Sequence, residues 1–169
     1  MVSISVTFQR LPDVKFDRLC YAVGAYVLWA GKSIAKPTYI GEGDILPRLL
    51  KHRGRFPRPI DGFVAILGEH DSRTAKRRSE IVEAVLLEIA DRVDRYPAHN
   101  RRGGKLAYLN KFFASHATVK FVFDGYDPLL EPGTAKPMKA KRLVRIIEVG
   151  DHFGAEHNWQ TRRRRQTTY

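Results

Sequence analysis

The sequence predicts an α+β fold, a small antiparallel sheet of three strands flanked by helices, with extensions at both ends of the chain. Three observations carry that expectation. Two short apolar runs, Ala25 to Ala30 and Thr38 to Gly41, are separated by a polar Gly31 to Pro37 segment that reads as a hairpin connection, and a third run, Gly62 to Gly68, follows them. From about Ala75 to Arg95 the apolar residues recur at helical spacing instead. With 169 residues and 43% hydrophobic content, the chain has material for one domain with its own core, and not for two.

The N-terminal extension is assigned to residues 1–23. Met1 to Arg10 alternates Val2, Ile4, Val6 and Phe8 with polar residues, which is a strand pattern and not that of a signal peptide. Leu11-Pro12-Asp13 breaks it, and Val14 to Val23 is a connector with no assigned structure. The core is assigned to residues 24–100. Its hairpin brings Tyr26 and Tyr39 near each other on neighbouring strands. Gly41-Glu42-Gly43-Asp44 reads as a turn in which Asp44 caps a helix from about Ile45 to His52, with Pro47 tolerated in the first turn. On that helix Arg48 and His52, four residues apart, share a face. Arg53 to Asp61, with Pro57 and Pro59, is a loop before the third strand, and Glu69 to Thr74 is another.

In the long helix Ile81, Val82, Val85, Leu86, Ile89 and Val93 cover one face, and Glu80, Glu83, Asp91 and Asp94 the other. Glu88 falls at the edge of the apolar face. A half-buried carboxylate there is costly unless it is paired or binds a cation. The helix ends before Pro97, and Asn100 follows in the exit loop. The C-terminal extension, 101–169, holds a basic link from Arg101 to Lys105, a short helix from Leu106 to His116, strands at Val119 to Phe123 and Leu143 to Val149, and a proline-rich loop between them. Its tail carries four consecutive arginines, Arg162, Arg163, Arg164 and Arg165.

Thirty Lys and Arg against 18 Asp and Glu give a net charge of +12, and the pI is about 10.1. The simplest use of that excess is to neutralise phosphates, so a nucleic acid is the expected partner, DNA with RNA left open. Arg53, Arg101, Arg102, Lys105 and the four tail arginines are the candidate contacts. Charge alone does not reveal catalysis. The single Cys20 excludes an internal disulfide and a cysteine-based zinc site, and no apolar stretch has the length of a membrane span. A reducing, cytoplasmic setting is expected, beside the nucleoid in a bacterium.

Gly24-Ala25-Tyr26, Tyr39-Ile40-Gly41, Arg48-Leu49 with His52, Glu83 to Glu88 and Pro97-Ala98-His99-Asn100 together resemble, in order and spacing, the motifs of the GIY-YIG nucleases over residues 22–100. The twelve-residue step from Glu88 to Asn100 resembles the family's final helix and exit loop. Two departures stand out. Ala25 replaces the usual isoleucine, and Arg48 follows Tyr39 by only nine residues, which makes Arg53 its substitute.

The resemblance implies hydrolysis of a DNA phosphodiester at one Mg²⁺ (or Mn²⁺) per active site, leaving 5′-phosphate and 3′-hydroxyl ends. Glu88 would hold the metal, which stabilises the leaving 3′ oxygen. Tyr26 would be the general base on the attacking water, its phenol lowered by a neighbouring cation, with Arg48 the nearest candidate. Tyr39 would orient water or phosphate, His52 would assist as hydrogen-bond partner or proton acceptor, and Asn100 would hold the backbone. Each residue also has a plainer explanation. The tyrosines suit a hairpin core, Arg48 and His52 a basic helix, Glu88 a pair with Arg92, and Asn100 a turn.

Other chemistries are poorer fits. His152 and His157 lack a recognised zinc spacing, and no nucleophile elbow or phosphate-binding glycine loop is present. The expected activity is therefore a metal-dependent DNA endonuclease of a compact restriction or mobile-element kind, without the added modules that repair nucleases carry. Two copies would serve double-strand cleavage. The competing expectations are a non-catalytic basic DNA- or RNA-binding protein and a structure-specific repair or recombination nuclease.

Overall fold

The computed structural model describes residues 1–31, 35–100, 109–114, 117–138 and 143–149. In chain order they form β1 (Val2–Arg10), a 3-10 turn (Leu11–Asp13), α1 (Phe16–Cys20), β2 (Ala22–Ala30), β3 (Tyr39–Asp44), α2 (Ile45–Arg55), β4 (Ile60–Glu69), α3 (Arg73–Arg92), α4 (Leu109–Phe112), β5 (Thr118–Gly125) and β6 (Leu143–Glu148). The fold is α+β, but the sheet is six-stranded and mixed, in the order β3-β2-β4-β1-β5-β6. The expected three-stranded antiparallel sheet with extensions is thereby overturned.

The reason lies in the two segments assigned to extensions. β1 pairs antiparallel with β4 at Gln9↔Val64 and Arg10↔Phe63, and parallel with β5 from Val2↔Val119 to Phe8↔Gly125. β6 then pairs antiparallel with β5. A strand with one apolar face and a row of unpaired amides is stable only when both are satisfied, and Val6 and Phe8 are almost wholly buried here. The alternation in the first ten residues thus marks an interior strand of the sheet.

The β3-β2-β4 half of the sheet is covered on both faces. On one, Ala25, Val27, Trp29, Phe63 and Ala65 pack with Val82, Val85, Leu86 and Ile89 of α3. On the other, Tyr26, Leu28 and Val64 pack with Leu19 of α1, Ile45 of α2 and Phe56. Double coverage explains why Ala22–Ala30 is an unbroken apolar run without alternation.

Element boundaries also shift. Gly41-Glu42-Gly43-Asp44 is the second half of β3, because these residues pair with Tyr26, Ala25, Gly24 and Val23. Asp44 occupies the N-cap of α2 but makes no capping side-chain hydrogen bond. α3 starts at Arg73, two residues before the expected Ala75, and is capped by the Ser72 hydroxyl accepting from the Ala75 amide at 3.1 Å. Among the described residues no helix is long and apolar enough to cross a membrane.

Candidate active site

The β2–β3 register sets Tyr26 opposite Gly41 and Leu28 opposite Tyr39. Period-two alternation then puts Tyr26, Tyr39 and Gly41 on one face of the hairpin. Both rings lean over Gly41. A Cβ added there would stand 2.5 Å from the Tyr26 hydroxyl and 2.6 Å from Tyr39 Cε1, so only glycine leaves room for the pair. The ring centroids are 6.2 Å apart, and Tyr26 is 1% exposed. Gly43, at φ +112°, brings the β3 backbone under α2, where the Arg48 guanidinium lies 3.6 Å from the place a Cβ would take.

α2 delivers the next two groups. His52 is buried, with Nε2 3.1 Å from the Tyr26 hydroxyl. Its ring stacks on Phe56 at 5.2 Å and lies 4.5 Å from Tyr39 between centroids. Its Nδ1 has no hydrogen-bond partner among the described residues. Arg48 shares this flank of the helix, as expected for a residue four positions earlier. Arg53 does not. It stands about 140° around the axis from Arg48, exposed on the other flank, so the substitute for Arg48 is not needed.

Charge and burial fix the protonation of the pair. Burial raises the Tyr26 phenol well above its ordinary value, Tyr39 adds to the rise, Arg48 opposes it, and Glu83 and Glu42 raise it further. Burial lowers His52 below 6.5, helped by Arg55, Arg48 and Lys51. At neutral pH the phenol keeps its proton and the imidazole is uncharged. The expected lowering of Tyr26 by a cation is therefore not what the site does, although Arg48 acts in that direction.

The same electrostatics identify the acids. Glu83, on α3, is 4% exposed and acts on the Tyr26 phenol from the other face of the sheet. Glu42, on β3, joins it and accepts a hydrogen bond from the buried Ser79 hydroxyl at 3.0 Å. The two faces meet here because β3 is the last strand of the sheet and Gly41 lets the Tyr26 hydroxyl reach its edge.

Glu88, expected to be the metal ligand, lies about 140° around α3 from Glu83 and pairs with Arg92 at 2.8 Å. It is not among the groups that act on Tyr26. The apolar stripe alone puts Glu83 on a solvent face, yet Glu83 is buried. A second stripe, Ala75, Ser79, Glu83 and Ala90, is equally buried. Its small members were the available signal, since they mark where a helix approaches its neighbour closely. A Cβ added at Gly68 of β4 would stand 2.6 Å from that of Ala75.

Asn100 takes the bracing position. Its Oδ1 accepts from the Ile40 amide at 2.9 Å and its Nδ2 donates to the Ile40 carbonyl at 2.8 Å. The preceding backbone follows the same edge, Ala98 N donating to Pro37 O and His99 N to Thr38 O. Tyr26, Tyr39, Arg48, His52 and Asn100 are thus all gathered along β3, and Glu83 and Glu42 are the carboxylates whose charge reaches the Tyr26 phenol. Arg101, Arg102, Lys105, Arg162, Arg163, Arg164 and Arg165 lie outside the described residues. Comparison with protein-family models, curated proteins and solved structures finds no match to this chain.

Proposed function

We propose that this protein is a metal-dependent endonuclease that hydrolyses DNA phosphodiester bonds at the edge of β3. The observation that carries the proposal is the meeting of a buried, hydrogen-bonded Tyr26–His52 pair with Arg48 on one side and the carboxylates Glu83 and Glu42 on the other. Phosphoryl transfer needs a proton acceptor for water, a cation for the phosphoryl oxygens, and an acid to hold a divalent ion.

The donor set is all oxygen, and one or two carboxylates are what Mg²⁺ or Mn²⁺ takes while keeping water and substrate oxygens for its other positions. Among the described residues there is no cluster of three His, Cys, Asp or Glu side chains of the kind a fully protein-ligated ion requires. Glu83 would hold one such ion per site, with Glu42 beside it. When bound, the ion supplies positive charge to the phosphoryl oxygens and to the leaving 3′ oxygen.

The protein's own groups account for the proton. A water attacking phosphorus gives a proton to the Tyr26 oxygen as the Tyr26 hydroxyl hydrogen passes to His52 Nε2. The P–O3′ bond breaks, the 3′ oxygen takes a proton from solvent, and the products end in 5′-phosphate and 3′-hydroxyl. In this scheme Tyr26 is a relay and never needs to be a phenolate at rest, which reconciles its role with its raised pKa. Arg48 binds a non-bridging oxygen, Tyr39 orients the phosphate over Gly41, and Asn100 fixes the strand beneath them. The cellular setting we infer is cytoplasmic, for a compact restriction or mobile-element nuclease that acts on both strands as a homodimer.

Plasmid nicking with Mg²⁺ tests the proposal. Wild-type protein cuts, and Glu83→Gln and Tyr26→Phe lose at least 100-fold in rate. No cutting by wild type under any divalent ion, with DNA binding retained, would make this a basic binding protein instead.

A further inference from the structure

From Ile45 to Ile60 the chain has five cations, Arg48, Lys51, Arg53, Arg55 and Arg58, and no acid. On α2, Arg48, Lys51 and Arg55 fall within a wedge of about 60° at ~100° per residue, on one flank of the buried Ile45–His52 stripe. All three are exposed and all act on His52. None is within 4 Å of a carboxylate among the described residues. Arg55 is held in place by the Phe56 ring, 5.5 Å from its guanidinium carbon, and that ring stacks on His52.

Helix stability does not explain the row. His52, Arg53 and Arg55 in the last turn suit the helix macrodipole, but Arg48 lies near the N-terminus, where a cation opposes it. What the three share is a row that runs along the helix for ~10 Å, from the rise per residue, beside His52, whose Nε2 meets the Tyr26 hydroxyl. One strand of a duplex presents a phosphate about every 3.4 Å of axis, so a row of that length lying along the axis faces roughly three to four consecutive phosphates.

We infer that Arg48, Lys51 and Arg55 form a phosphate track that seats the cleaved strand, Arg48 at the scissile phosphate and Lys51 and Arg55 at its neighbours. This rests on the phosphodiester reading of the site and adds which strand segment the protein grips and with which residues. Arg53, about 160° from the middle of the row, is no part of it. A helix that carries its catalytic imidazole and its backbone contacts on adjacent faces sets the register of the strand over Tyr26 without reading any base.

The test is binding of a labelled DNA duplex in EDTA, followed by fluorescence anisotropy from 50 to 400 mM NaCl, so that cleavage plays no part. For wild type, Lys51→Gln, Arg55→Gln, the double variant and Arg53→Gln, the slope of log affinity against log salt is compared. Each track residue lost should flatten the slope by about 0.9 and weaken binding about eightfold at 0.1 M salt, and the double variant by about twice that slope. Arg53→Gln should match wild type. A steep wild-type slope that Lys51→Gln and Arg55→Gln leave no flatter than Arg53→Gln does would overturn the track while leaving the nuclease reading intact. Steep binding with the expected slope changes but no cleavage by wild type would keep the track and remove the nuclease. A flat wild-type response would remove both.

Discussion

The side-chain amide of Asn100 pairs with both main-chain groups of Ile40, as a neighbouring strand residue would, and Ile40 is the residue between Tyr39 and Gly41. The free edge of β3 is thus closed at the point where the tyrosines cross it. Asn100→Ala leaves both groups without that partner and should cost about 1–3 kcal/mol in urea unfolding. Hydrogen exchange reads it locally. The Ile40 amide should lose protection in the variant, and unchanged protection would show that another group satisfies it.

Gly41→Ala tests the crossing itself. The added methyl must displace Tyr26 or Tyr39, and overpacking of this kind costs about 1–3 kcal/mol. The larger effect should be on rate, since a shift of ~1 Å in a reacting group costs about 100-fold. Near-UV circular dichroism of the tyrosines should change while the far-UV spectrum does not. Wild-type rate in this variant would mean that the tyrosine pair has no part in the chemistry.

Glu83 and Glu88 separate the site from the surface. Glu83→Gln should abolish metal-dependent cleavage and weaken Mn²⁺ binding measured by calorimetry. It should also bring the Tyr26 phenol down towards its ordinary value, which ultraviolet titration reads without any turnover. Glu88→Gln removes the i,i+4 pair of a half-buried carboxylate with the exposed Arg92, worth about 0.3–0.5 kcal/mol, and should leave cleavage within twofold of wild type. The opposite ranking would restore Glu88 as the ligand.

Stability should depend on pH through His52. Its folded value lies below 6.5, so the unfolded chain binds the proton more readily. The contribution is complete above about pH 6.5 and is lost as pH falls towards the folded value, with a slope of at most about 1.4 kcal/mol per pH unit. His52→Gln should flatten that slope in urea unfolding between pH 7 and 5. Tyr26 has the opposite sign. Its raised value contributes below pH ~10 and is lost as pH rises through the folded value, so wild type and Tyr26→Phe should diverge only in strong alkali. Cleavage should be level from about pH 7 to 9, because the relay uses a protonated Tyr26 and a neutral His52. A rate that climbs tenfold per pH unit across that range would mean that Tyr26 works as a phenolate.

Most of this site could be read from the sequence because its parts are local. A hairpin puts Tyr26 and Tyr39 together, one helical turn relates Arg48 to His52, and the loop after α3 ends at Asn100. Glu83 was missed for a physical reason. Polarity on a helical wheel says which face avoids apolar neighbours, and not which face avoids solvent, and α3 is buried against β3 as well as against the sheet's apolar face. The six-stranded sheet was missed because pairing of Val2 with Val119 leaves no trace near either residue. The alternation from Val2 to Phe8 announced a strand but not its neighbours.

The position of β1 between β4 and β5 has a consequence for how the chain comes off the ribosome. β1 gains its parallel partner only when residues 119–125 have emerged, although β2, β3 and β4 pair among themselves within residues 22–69. The β3-β2-β4 half of the sheet can therefore pair while β1 still has one open edge, which β5 closes later. A chain halted after Asn100 would carry β1 with its β5-facing edge unpaired, on the far side of β4 from the tyrosine pair on β2 and β3.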